Sequence, residues 1–191
     1  KDLARVLQLG KDQGGDEGPG AIVCERLSNG DDGRSPTLRN YEDVLPKLQK
    51  IRDVSIIVLP GQSMPDPKNG SGNPVIDAVI AHCDETKSRM VIIDPPQSYK
   101  LDQANKVDNL GLSTSTYAAF YYPWVTVPNP FYDVDRNPNA PPTLTIAPSS
   151  FAAGIWSRID GTRGVWKAPA GVETSLRGVA GLEFQVADGE Q

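Results

Sequence analysis

Two apolar runs decide the fold: Ser55-Ile56-Ile57-Val58-Leu59, closed by Pro60-Gly61, and Met90-Val91-Ile92-Ile93, stopped by Asp94-Pro95-Pro96. Each is short, unbroken and rich in β-branched residues, which is how a strand buried on both faces reads. Between them, Asn73-Pro74 has the signature of a helix start, an N-cap followed by proline at the first helical position. Val75, Ile76, Val79, Ile80 and Cys83 then recur along one helical stripe.

Working outward, Tyr41, Val44, Leu45, Leu48 and Ile51 recur at helical spacing after Asn40, a candidate N-cap. Pro46 lacks a backbone donor, so this segment is expected either to kink or to divide in two, with Pro46 opening the second piece. Residues 101–112 can form a further, weakly patterned helix, and the aromatic run at residues 117–122 reads as a third strand ended by Pro123. The order strand, helix, strand, helix, strand implies an α/β fold: a mainly parallel sheet with right-handed crossovers, flanked by helices. Residues 128–142 form a connection rich in proline and asparagine. Thr143-Leu144-Thr145-Ile146 alternates like a more exposed strand, and Pro148 opens a helix running through Arg158. The organisation expected is an irregular segment over residues 1–39, with a short strand at Ala21-Ile22-Val23-Cys24 between surface turns, then an α/β core over residues 40–191.

Composition narrows the function classes. The chain has 191 residues, 38% hydrophobic and 23% charged, with a mean hydropathy of -0.37, which fits a globular chain of one large domain or one domain with appendages. A net charge of -5 and a pI near 4.9 argue against a general nucleic-acid binder, which should be basic. No apolar run approaches the ~20 residues that a membrane-spanning helix needs. Two cysteines, Cys24 and Cys83, are too few for a disulfide framework and fit a reducing compartment, although one bridge could form. The 18 glycines and 17 prolines gather mostly in the connections, which are therefore long and shaped. The first residues, Lys1-Asp2-Leu3-Ala4-Arg5, contain neither an initiator Met nor a signal-peptide stretch, and the chain reads as an excised fragment.

Chemistry is thinly marked. Ligands of parallel sheets sit outside the carboxyl ends of the strands, and there the only ionisable residue is Asp94. A metal site or general base is conceivable, but an acid capping a turn before two prolines is the plainer reading. His82, the only histidine, neighbours Cys83 and Asp84. Adjacent helical residues project about 100° apart and Cys83 lies on the apolar stripe, so it reads as a core thiol, not a nucleophile. Soft-metal spacing, phosphate loops and a GxSxG elbow at Ser149-Ser150 are all missing. Asp31-Asp32 and Asp133/Asp135 read as solvated loop charges before calcium ligands. No cofactor, no metal and no catalytic residue is assigned.

Two stretches carry a resemblance: TYAAFYYPWVTVPNP from Thr116, and PSSFAAGIWSRIDGTRGVWKAPAG from Pro148. Together they resemble the contractile tail sheath protein of myoviruses and related phage-like particles. Weaker similarity reaches back through the two apolar runs, so that about residues 40–186 are covered; Ser149-Ser150 stands where family members often have Ser-Gly. The resemblance implies a virion structural protein that forms hexameric rings stacked around a tail tube and contracts to drive that tube through a cell envelope. It further implies assembly in the bacterial cytoplasm, contacts with the tail tube protein, baseplate and tail terminator, and a following tube-facing domain that this chain would lack. The isolated fragment is accordingly expected to be monomeric, with no nucleic-acid partner and no membrane insertion.

Within the second stretch, Phe151, Ile155 and Arg158 share a helix face, while Ala152, Ala153 and Gly154 permit close backbone approach. Arg158, Asp160, Arg163, Trp166 and Lys167 form a set of candidate interface anchors, organising the junction to the following domain or a neighbour contact. The competing reading places Trp166 in the core and the charges in an internal ion-pair network. Two other readings stand beside the sheath: a small α/β enzyme or nucleotide-binding domain with an unmarked site, and a sheath-like subunit of a secretion machine or phage-tail-like bacteriocin.

Overall fold

The computed structural model of the chain describes residues 5–9, 22–26, 30, 33–101 and 106–186. The chain divides into two units, Lys1–Pro36 and Thr37–Gln191. In the first, β1 (Arg5–Leu9) pairs antiparallel with β2 (Ile22–Arg26), running from Arg5 opposite Arg26 to Leu9 opposite Ile22. The strand expected near Val23 is present; its partner β1 was not expected.

The second unit is built on a parallel sheet of β3 (Ile56–Ser63), β4 (Met90–Asp94) and β5 (Ala118–Phe120), in the order β3-β4-β5. The α/β class expected from the strand and helix order is therefore observed. Helix α2 (Pro74–Thr86) begins where the sequence places it: Asn73 Oδ1 accepts from the Val75 N–H at 3.0 Å, satisfying one of the orphan donors of the first turn. Its buried stripe of Ile76, Val79, Ile80 and Cys83 packs with Val91 and Ile93 of β4. Side chains alternate along a strand, so Ile92 and Asp94 face the opposite side. There Asp94 meets Ser149 of α3 (Pro148–Arg163), and the sheet lies between α2 and α3.

Several expectations are corrected. Helix α1 (Leu38–Leu48) passes through Pro46 without dividing, since the ring falls in the last turn where only one ladder bond is forfeited. Its N-cap is Thr37, not Asn40; Asn40 Oδ1 instead reaches back to accept from the Thr37 N–H and hydroxyl at 2.8 and 2.9 Å. Tyr41, Leu45 and Leu48 are half-buried, whereas Val44 and Ile51 are exposed. Strand β3 continues through Pro60 and Gly61 with a register shift between Val58 and Ser63, and only Leu59 on it is fully buried. It is an edge strand, which is where a proline can be tolerated.

Of the helix expected over residues 101–112, residues 102–105 lie outside the described residues and the remainder is a single 3₁₀ turn, Val107–Leu110, ended by Gly111 in the left-handed conformation. The aromatic strand is shorter than residues 117–122 suggest, and α3 runs on to Arg163, past Arg158. A second, antiparallel sheet was not anticipated. It has the order β7-β6-β8, formed by β6 (Val125–Pro128), β7 (Thr143–Ile146) and β8 (Gly181–Leu182). The connection after Pro128 is thus a hairpin loop, pinned by Asn129, which donates from Nδ2 to Pro141 O at 2.7 Å and accepts from the Phe131 N–H at 3.0 Å. Among the described residues no helix is long and apolar enough to cross a membrane.

Candidate functional site

At the carboxyl end of β4, the ordinary place for a ligand, the described residues bond to one another. Asp94 is only 3% exposed, and both carboxylate oxygens are engaged. Oδ1 accepts from the Ser149 N–H at 2.8 Å and Oδ2 from the Ser149 hydroxyl at 2.7 Å, while Met64 N–H donates to the Asp94 carbonyl at 2.9 Å. Asp94 therefore holds the first turn of α3, where a carboxylate also meets the positive end of the helix dipole; it is not the cap of its own following turn. Burial pushes its carboxyl above the usual range, and the two Ser149 hydrogen bonds pull part of the way back. Beside it, the Trp124 indole donates to Pro95 O at 2.9 Å, and the Trp156 indole donates to the Tyr121 hydroxyl at 2.7 Å across an edge-on ring pair. These contacts pack sheet, linker and α3 together at the place where an α/β enzyme keeps its crevice.

Cys83 is a free, fully buried thiol pushed up to about 11, first by burial. It is unbridged, and a thiolate nucleophile is not available there; the side chain of Cys24 lies outside the described residues. His82 is buried on the other flank of α2, with Nε2 at 3.2 Å from Arg89 Nη1. Burial, then the neighbouring guanidinium, holds the imidazole below its ordinary range, with Glu85 opposing. Arg89 also donates to Leu48 O at 3.0 Å and Ile51 O at 2.8 Å, covering carbonyls left at the end of α1. This cluster closes the core and offers no reacting geometry. Asp133 Oδ1 is occupied by the N–H groups of Asp135 and Arg136, so that pair does not converge on a cation; Asp31-Asp32 lies outside the described residues. Among the described residues no cluster of three His, Cys, Asp or Glu side chains could hold a metal ion.

The anchor set is drawn together only in part. From the middle of α3, Arg158 donates through Nη2 to Glu173 O at 3.0 Å and Ser175 O at 3.1 Å, fastening the chain after the helix back onto it. Arg163 Nε lies 3.6 Å from Glu173 Oε2, an exposed pair, and Lys167 Nζ donates to Ala168 O and Ala170 O. Asp160 is exposed, and its carbonyl accepts from the Gly164 N–H. Trp166 is not core. It is 83% exposed in this chain, folded over Gly164 so closely that a Cβ there would overlap the indole ring. Its chain neighbour Val165 is 81% exposed, and Val172, farther along the chain, is 96% exposed.

Between α3 and the following segment, Arg158, Ile159, Arg163, Val172, Glu173 and Arg177 line a groove of about 340 Å³. Sequence does not reveal Glu173 and Arg177, since no periodicity links them to α3; their one signal is charge in an otherwise small-residue stretch.

The chain is of the α/β class, with the strand-end carboxylate of Asp94 buried against Ser149, a groove lined by arginines beside α3, and Val165 and Trp166 exposed after the helix. No protein-family model matches the chain, and no curated protein matches it either.

Proposed function

We propose that the chain is a structural subunit of a contractile tail sheath, acting by contact with copies of itself and with the tail tube and not by turnover. The observation that carries this is the exposure of Val165 and Trp166 within the stretch that resembles the sheath family, where Arg158 and Arg163 of the same stretch line a groove. An indole left in solvent is the kind of group that becomes a buried anchor once a partner is seated, since aromatic and arginine side chains dominate interface energetics. The engaged carboxylate of Asp94 at the end of β4 agrees with the same reading, because energy storage in a sheath needs exchangeable subunit contacts and no substrate cleft. On this reading the protein resides in the tail of a phage or phage-like particle, with baseplate and tail terminator at its ends, and this chain by itself is monomeric.

The test is to substitute Trp166→Ala and Arg163→Ala in the sheath protein expressed with its particle and to image particles by electron microscopy. Short, absent or non-contracting sheaths are expected; normal sheaths from both variants overturn the anchor roles. A thermal-shift screen with nucleotides addresses the enzyme alternative: no change in Tm is expected, while saturable stabilisation at micromolar ligand would contradict the proposal.

A further inference from the structure

We propose that the groove beyond α3 is a receptor for an acidic peptide segment of a partner protein, one carrying an apolar side chain next to its carboxylate. This deepens the contact-face reading above and rests on it. Three guanidinium groups, Arg158, Arg163 and Arg177, face one carboxylate, Glu173, around about 340 Å³. The excess positive charge stands in a chain of net charge -5, so the groove departs in sign from the protein that surrounds it. Arg158 is held in place by the carbonyls of Glu173 and Ser175, which orients its fork in advance and lowers the ordering cost of receiving a carboxylate. Among the described residues no acceptor reaches the side chain of Arg177, and Arg163 shares only a 3.6 Å exposed contact with Glu173, which costs little to rearrange around a ligand carboxylate.

The class of ligand follows from the walls. Ile159 is buried at the floor and Val172 stands exposed at the rim, giving an apolar surface that a free phosphate cannot use. Glu173 in the lining disfavours a dianion, and the acidic chain as a whole repels a polyanion such as nucleic acid. A single carboxylate beside an aliphatic side chain satisfies both the cationic and the apolar wall.

The experiment uses the full chain and three probes: a short acetylated peptide alternating glutamate with leucine, its glutamine counterpart, and inorganic phosphate, each titrated by calorimetry at low and moderate salt. The glutamate peptide is expected to bind saturably, to weaken with salt, and to outbind the other two probes. Arg177→Gln, which removes no hydrogen bond or ion pair among the described residues, is expected to weaken it about five-fold or more with Tm unchanged, and Glu173→Gln to tighten it by a similar factor. Absence of saturable binding below about 1 mM, equal binding of the glutamine peptide or of phosphate, or indifference to both substitutions overturns the proposal. Sheath imaging reports on particle assembly and peptide binding reports on the groove, so failure of one is distinguishable from failure of the other.

Discussion

The contact between His82 and Arg89 makes a pH-dependent stability that can be worked out in advance. For Nε2 to sit 3.2 Å from a guanidinium nitrogen, the imidazole must be neutral there, accepting at Nε2 and carrying its proton on Nδ1. Protonation would set two cations 3.2 Å apart, a repulsion of about 5 kcal/mol at an effective dielectric constant near 20. The folded state avoids this by staying neutral: burial first, and then this guanidinium, hold the imidazole below its ordinary value of 6.5. The unfolded chain has no such restraint and takes up a proton below about 6.5. The stabilisation tied to neutral His82 is therefore complete above that value and is lost as pH falls from it toward the lowered folded value. If the folded protein stays neutral throughout, moving from about pH 7.5 to about pH 5.5 costs about 1.4 kcal/mol, which sets the ceiling for this residue whatever the size of the repulsion. For a chain of this size that is about 3–5 °C in Tm. Asp94 runs the other way: its raised carboxyl contributes stability that is full below 3.8 and lost as pH rises through the folded value, so it offsets part of the loss at the acid end. His82→Gln removes the titration while keeping an acceptor for Arg89. Urea unfolding followed by tryptophan fluorescence at the two pH values, for the wild type and His82→Gln, isolates the difference. A steeper acid loss in the wild type, by up to about 1.4 kcal/mol, is the expected result; parallel pH profiles for the two proteins refute the neutral-acceptor geometry.

Three further outcomes are expected. Ser149→Ala should lose about 1.5–3 kcal/mol by removing a hydroxyl donor from a buried carboxylate, and the loss should shrink in acid, where Asp94 is protonated; a pH-independent loss in chemical denaturation would contradict the role assigned to that bond. Ile93→Ala, at a core position 1% exposed, should cost about 2–5 kcal/mol by the same measurement. Gly111→Ala should cost about 1–3 kcal/mol, because φ is +66° there and a Cβ would stand 3.1 Å from Gly72 N and Ser71 Cβ; a Tm equal to wild type would show that this approach of two loops relaxes freely.

The readable parts of the sequence were those where one local rule and one tertiary demand coincided. Asn73-Pro74 and the stripe ending at Cys83 gave α2 because capping, proline placement and burial all fall on the same residues. Met90-Val91-Ile92-Ile93 gave the central strand because both faces of β4 are covered. Strand β3 reads the same in sequence yet lies at the sheet edge, since an apolar run does not reveal how many neighbours will pair with it. The antiparallel sheet was hidden because Val125-Thr126-Val127-Pro128 is too short to be told from its proline-rich surroundings, and β8 is only Gly181–Leu182.

At the candidate face, Arg158 and Arg163 were recognisable, but the residues that turn them into a groove, Glu173 and Arg177, arrive from a segment whose return is set by backbone acceptors that no side-chain pattern encodes. Asp94 is legible in the sequence as a strand-end carboxylate. Its partner Ser149, far along the chain, was visible only once the sheet and α3 were in place.

The claim that the chain works by contact within a contractile sheath is tested most directly by cryo-electron microscopy of particles from a cell that encodes it. The account predicts density for residues 37–186 repeated in rings around a tail tube, with the indole of Trp166 covered by a neighbouring polypeptide. Particles whose sheath contains no copy of this chain, or copies with Trp166 still facing solvent, would contradict it.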